Sequence, residues 1–293
     1  MGFLEKLHGA TQKNQSWLCV GLDPDPERLP EPLHGRDPLS AIEGFLTRIV
    51  EATRDLVCAY KPNVAFYEAL GPQGFQLLQK LICEIIPKEI PVILDAKRGD
   101  IATTARKYAR VAFEFFEADA VTVNPYLGFD AVEPFLRYRD CGVFLLCRTS
   151  NPGARDLQDL LCQCVNWGES KKPLYQIVAE KAREWRAKSE AELGLVVGAT
   201  YPEELAIVRG IMGEEALFLV PGVGAQGGDL EKAIQAAANA QGENAIINVA
   251  RGVLYASSGD DFAEAARREA QRLREAIQHS AGGAKDNGSD LGS

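Results

Sequence analysis

Histidine is nearly missing from this sequence: there are three, His8, His34 and His279. They fall in the N-terminal segment, in a loop and near the C-terminal end, and none closes an apolar run. A histidine base or a histidine-ligated metal therefore has no candidate. Positive charge is also short, with Lys plus Arg at 32 against 41 for Asp plus Glu, a net charge of −9. Non-specific nucleic-acid binding runs on Lys and Arg neutralising phosphates, so no nucleic-acid partner is expected. A small basic pocket for one phosphorylated metabolite is still allowed. No apolar run approaches the ~20 residues needed to span a bilayer. Met1 to Thr11 holds Glu5, Lys6 and His8 but no apolar signal core. A cytoplasmic protein without membrane attachment is expected. Neither a G-x-S-x-G nor a Walker A motif occurs.

Cysteine is present but unorganised. Seven is an odd number, and a chain of this size can bury a core without disulfides. Cys19, Cys58 and Cys147 sit inside apolar runs, where free Cys behaves as a small hydrophobe. Cys162 and Cys164 form a C-x-C, but no second Cys or His cluster completes a zinc site. Ordinary thiols are expected, with no metal site.

Short apolar runs alternate with helical stretches. The candidate strands are Trp17 to Leu22, Leu56 to Tyr60, Pro91 to Leu94, Ala120 to Val123 and Gly142 to Cys147. Three more come later, at Leu195 to Gly198, Leu217 to Val220 and Ala245 to Val249. Most do not alternate with polar residues, which is how strands buried on both faces read. Between them lie amphipathic segments such as Leu39 to Thr53, Leu174 to Lys188 and Asp261 to Ile277, each with one apolar stripe and one charged face. This alternation predicts an α/β fold, a single-domain (β/α)₈ TIM barrel over residues 1–279. An open doubly wound sheet is the rival, since the same alternation serves both. Ala154 to Pro173 reads as an insertion after the fifth strand. Residues 280–293, with one large apolar residue, Leu291, read as a disordered tail.

The chemistry lies in the residues at the C-terminal end of each strand. Strand one runs into Gly21-Leu22-Asp23-Pro24, and strand two ends in Tyr60-Lys61-Pro62-Asn63. Strand three continues as Asp95-Ala96-Lys97-Arg98-Gly99-Asp100. Strand five gives Arg148-Thr149-Ser150-Asn151-Pro152. In a parallel barrel these ends share one face, where barrel enzymes place their active sites. Asp95 and Lys97 are two residues apart on one strand, so their side chains point the same way. A Lys flanked by carboxylates is held charged, ready to donate a proton, and Lys61 and Asp23 can join that network. After strand seven, Gly222, Gly224 and Gly227 spell G-x-G-x-x-G. That fingerprint normally opens a first βαβ unit with an acidic residue ending the next strand, whereas here the next strand ends near Arg251. A phosphate cup with Arg251 as a bidentate partner is the better reading.

Together these segments resemble the orotidine 5′-phosphate decarboxylase family in its longer bacterial form, the type 2 subfamily. The likeness runs from about Trp17 to Gly252, and its most specific piece is Leu94-Asp95-Ala96-Lys97-Arg98-Gly99-Asp100-Ile101. It implies loss of CO₂ from orotidine 5′-monophosphate to give UMP in pyrimidine biosynthesis, without metal or organic cofactor. It further implies that Lys97 protonates C6 and that Asp95 holds Lys97 near the substrate carboxylate. Lys61 and Asp23 bind the ribose and complete the charge network. Thr149 or Ser150 reads the pyrimidine edge, and Gln226 and Arg251 hold the phosphate. Asp100, with Thr104, is contributed across the interface of a homodimer with shared active sites. The nearest rivals are magnesium-dependent phosphosugar lyases that share D-x-K-x-x-D. A non-catalytic barrel sensing a nucleotide or sugar phosphate, and an NAD-binding protein, are further alternatives.

Overall fold

The computed structural model describes residues 1–163, 171–222 and 230–287. Its centre is an eight-stranded parallel sheet. The strands are β1 (Leu18–Gly21), β2 (Ala59–Lys61), β3 (Ile93–Arg98), β4 (Ala120–Val123) and β5 (Gly142–Arg148), then β8 (Glu192–Val197), β9 (Phe218–Pro221) and β10 (Ala245–Val249). Their order is β2-β1-β10-β9-β8-β5-β4-β3. Parallel bridges Tyr60–Val92 and Asn63–Asp95 join the two outer strands, with Tyr60 N–H on Pro91 O at 3.0 Å and Asp95 N–H on Pro62 O at 2.9 Å. The sheet thus meets itself as a barrel, and the open-sheet alternative falls away.

The apolar stripes pack outside the barrel as expected. In helix Pro38–Thr53, Ile42, Phe45, Leu46, Ile49 and Val50 are all buried, each worth roughly 1.5–3 kcal/mol of transfer free energy. Pro38 stands at the first helical position, and Asp37 caps the helix by accepting from Ser40 N–H at 3.0 Å. Inside the barrel a smaller cluster of Cys19, Ala59, Ile93, Ala120, Phe144, Val196, Leu219 and Ile246 fills the lower half. Phe3 and Leu7, from helix Phe3–Asn14, close its floor. Phe3 meets Phe144 edge-on at 6.0 Å. Gly142 makes room for it, since a Cβ there would lie 2.6 Å from the Phe3 ring. The opposite end, where the strands finish, is left for chemistry.

The second strand begins later than its apolar run. Leu56 and Val57 are buried, but their carbonyls accept from the Ser16 hydroxyl at 2.7 Å and the Asn14 carboxamide at 2.8 Å. They therefore join the barrel to the N-terminal helix. The third strand ends later than expected, at Arg98, through a β-bulge between Leu94 and Arg98. The insertion folds as a turn, a short helix Arg155–Gln158, and an antiparallel pair of β6 (Leu161–Gln163) with β7 (Lys171–Pro173). The last helix, Phe262–Asn287, runs past residue 279, where composition placed the start of a disordered tail. Ser280 is buried and donates to Ala276 O at 2.9 Å, which keeps it helical. Residues 288–293 lie outside the described residues. Among the described residues no helix is long and apolar enough to cross a membrane.

Candidate active site

Asp95 is the hub of the barrel mouth. Its Oδ2 accepts from Lys61 Nζ at 2.8 Å, and its Oδ1 accepts from Lys97 Nζ at 2.6 Å and from Thr122 Oγ1 at 2.8 Å. The Thr122 hydroxyl in turn accepts the Lys97 N–H at 2.9 Å. That bond fixes the bulge at Lys97, whose φ of 47° is left-handed, a conformation costing a non-glycine residue roughly 1–2 kcal/mol. The strain is local to the pair it builds: Asp95 and Lys97 project to one side and meet. Asn63 adds a long contact from Nδ2 to Asp95 Oδ2 at 3.5 Å, and its N–H donates to Asp23 Oδ1 at 3.0 Å.

Exposure sorts the two lysines. The side chains of Lys61 and Asp95 are 5% and 8% exposed, while that of Lys97 is 45% exposed. Lys61 is an internal counterion, and Lys97 faces the open mouth. Burial alone would raise the Asp95 carboxyl, but Lys61 and Lys97 outweigh it and hold it well below the usual carboxylate range. Burial alone would depress Lys61, and Asp95 with Asp23 reverses that and raises it. Asp23 goes the other way. Burial, with Asp95 adding to it, lifts its carboxyl despite Lys61 and the Asn63 N–H. The sequence candidates Lys61, Asp95, Lys97 and Asp23 are thus one network of fixed charges.

The other candidates are more dispersed. Asp100 Oδ1 accepts from the Ile101 N–H at 2.7 Å, and its carboxylate stands apart from the Lys61–Asp95–Lys97 chain. Thr104 is exposed on helix Ala102–Arg110, just beyond it. Thr149 and Ser150 come directly after β5, both half-buried. Arg251 is exposed and opens the short helix Arg251–Leu254 after β10. Gln226 lies outside the described residues. Among those that are described, no group of three or more His, Cys, Asp or Glu side chains is placed to hold a metal ion.

Three contributors escaped the sequence reading. Thr122 sits inside an apolar run, where its only signal was a hydroxyl in an otherwise hydrocarbon strand. Asn63 stood in view at the end of strand two without a role. Asn248 is buried on β10, two residues beyond the inner-cluster Ile246, and its Oδ1 has no partner among the described residues. A carboxamide in a buried parallel strand was the available clue.

The family model described as orotidine 5′-phosphate decarboxylase / HUMPS matches residues 16–268. An orotidine 5′-phosphate decarboxylase of Roseiflexus sp. (strain RS-1) is 51% identical over 277 residues, covering 94% of this chain and 97% of that protein. The enzyme of that name from Cupriavidus necator is 52% identical over 279 residues, covering 94% and 98%. The structure of Leishmania donovani OMP decarboxylase superposes with a TM-score of 0.80 at 39% identity, covering 96% of this chain and 99% of that one. A Methanocaldococcus jannaschii orotidine 5′-monophosphate decarboxylase, 20% identical with a TM-score of 0.60 and covering 89% and 98%, shares the fold. With its charge network at the mouth of a parallel barrel, the chain belongs to the orotidine 5′-phosphate decarboxylase / HUMPS family.

Proposed function

We propose that this chain decarboxylates orotidine 5′-monophosphate to UMP, with Lys97 as the proton donor to C6 of the pyrimidine. The observation that carries the reading is the alternating Lys61–Asp95–Lys97 chain, with its one accessible ammonium at the mouth. The C6–carboxylate bond breaks, CO₂ leaves, and its electron pair remains on C6. The Lys97 ammonium stabilises that developing charge from a fixed position and then transfers a proton to it. The neutral amine recovers its proton from water. Because Asp95 is tied on both oxygens, Lys97 is held in place before substrate arrives, so little reorganisation is needed at the moment of reaction.

The phosphate would lie between Arg251 and Gln226, on the loops that recurrently bind phosphate in such barrels. Thr149 has its hydroxyl engaged as both acceptor and donor, from Gln158 Nε2 at 2.8 Å and to Asn151 Oδ1 at 2.7 Å. Ser150 is therefore the residue to read the pyrimidine. Asp100 and Thr104 would complete a partner's site in a two-fold dimer. In support, Phe66, Ile101, Tyr126 and Leu127 expose large apolar surface on the segments after β2, β3 and β4, side by side at the mouth.

Incubation with orotidine 5′-monophosphate in the presence of EDTA tests the reaction and separates it from magnesium-dependent sugar-phosphate chemistry. UMP and CO₂ should appear at an undiminished rate. Lys97→Ala should abolish turnover while the melting temperature holds. Turnover that vanishes with EDTA, or survives in Lys97→Ala, overturns the reading.

A further inference from the structure

The insertion after β5 plays no part in the chemistry above, yet its short helix ends against the candidate site. Gln158 closes that helix and binds Thr149 with both ends of its carboxamide. Its Oε1 accepts from the Thr149 N–H at 2.9 Å, and its Nε2 donates to Thr149 Oγ1 at 2.8 Å. Two bonds from one planar group, to the backbone and the side chain of one residue, fix both its position and its rotamer.

The support behind this clamp is rigid. Arg148 has a fully buried side chain and donates from Nη1 to the same Gln158 Oε1 at 3.3 Å. Its Nη2 reaches Asp159 Oδ1 at 3.1 Å, and its guanidinium lies 4.2 Å from the centre of the Tyr201 ring. Its carbonyl accepts the Gly198 N–H at 2.7 Å, tying β5 to the end of β8. Ser150 comes next in the chain after Thr149. On its far side a Cβ at residue 198 would lie 2.8 Å from Ser150 Cβ and N, so only glycine fits there. Ser150 is thus seated between the clamped Thr149 and a glycine it packs against.

We propose that Gln158 is a positioning residue for the base: by clamping Thr149 it aims the Ser150 hydroxyl at the pyrimidine edge. The proposal rests on the reading of Ser150 as the base contact. Gln158 itself touches no substrate. The insertion is then a specificity element, tightening recognition of the base without entering the chemistry of C6.

The test compares UMP with ribose 5-phosphate, which keeps the sugar and phosphate and lacks the base. Ser150→Ala should raise the Kd for UMP about tenfold, the scale of one good hydrogen bond. Gln158→Ala should raise it about three- to tenfold. Neither should change the Kd for ribose 5-phosphate, and that unchanged binding also shows the site is folded. The double variant should be no weaker for UMP than Ser150→Ala alone, because the clamp acts through that hydroxyl. Additive losses, or equal losses for both ligands, would overturn the proposal. So would unchanged UMP binding in Gln158→Ala beside a weakened Ser150→Ala, which leaves the Ser150 reading standing. Full UMP affinity in Ser150→Ala removes both.

Discussion

At the scale of single residues, the site turns on how one carboxylate is satisfied. Asp95 receives two ammonium groups and a hydroxyl, and Thr122 serves it while also accepting the Lys97 N–H. Thr122→Val should therefore cost about 1–3 kcal/mol in urea unfolding, from losing the buried hydroxyl's bond to Asp95 along with its bond from the Lys97 N–H. It should lower kcat more than it raises KM, because the Lys97 backbone loses its anchor. Asp95→Asn should cost about 3–5 kcal/mol at neutral pH, since it leaves Lys61 buried without its partner. The pH dependence comes from the direction of the Asp95 shift. Its folded pKa lies below the ordinary ~3.9, so its stabilisation is complete above that value and is lost as pH falls toward the folded one. The stability gap between the native protein and Asp95→Asn should thus narrow below about pH 4. A gap that stays constant in acid would contradict the shift. Asp95 and Lys97 were legible because charge seldom comes straight after an apolar strand without turn residues between. Thr122 and Asn248 were not, because a short polar side chain in a buried strand leaves no pattern until its neighbours are known.

At the scale of elements, period and composition located the barrel strands well where the run was self-contained. Ala120–Val123 and Ala245–Val249 begin and end as the hydrophobic runs do. The boundaries moved where side chains compete for backbone groups. Asn14 and Ser16 claim the carbonyls of Val57 and Leu56, and Thr122 fixes the bulge that lets β3 carry charges. Arg209 shows the same kind of non-local bond holding helices. Its guanidinium donates to the carbonyls of Ala237, Gly213, Ala216 and Asn244, and sits 3.9 Å from the Phe218 ring centre. It thereby gathers the ends of helices Pro202–Met212 and Leu230–Ala237. Lysine has no planar fork to serve several carbonyls at once. Arg209→Lys should destabilise by about 3 kcal/mol in urea unfolding, from the buried carbonyls left unpaired. Turnover per folded molecule should be unchanged. No spacing rule would have marked this arginine, which sits in an ordinary amphipathic helix.

At the scale of the whole molecule, the barrel arises from eight buried runs and their connections, and the parallel topology sets which end bears chemistry. The proposed shared site would draw on two chains, with Asp100 on the segment beyond the strand and Asp95 and Lys97 on the strand itself. Subunit exchange tests it. Lys97→Ala and Asp100→Ala proteins should each be nearly inactive. Mixed in equal amounts, about half the dimers should be hybrids, each with one intact site, so about a quarter of all sites should recover. Hybrids that form without regaining activity would return Asp100 to its own chain's site.

The floor of the barrel has a practical side. Phe3 and Leu7 fix the first helix to the end opposite the Lys97 ammonium, and Met1 is 82% exposed beyond them. The chain therefore has a built-in orientation for anything attached there. A tether at Met1 stands the barrel on its closed end, with the mouth directed away from the support. An immobilised protein held this way keeps its entrance facing the stream that feeds it.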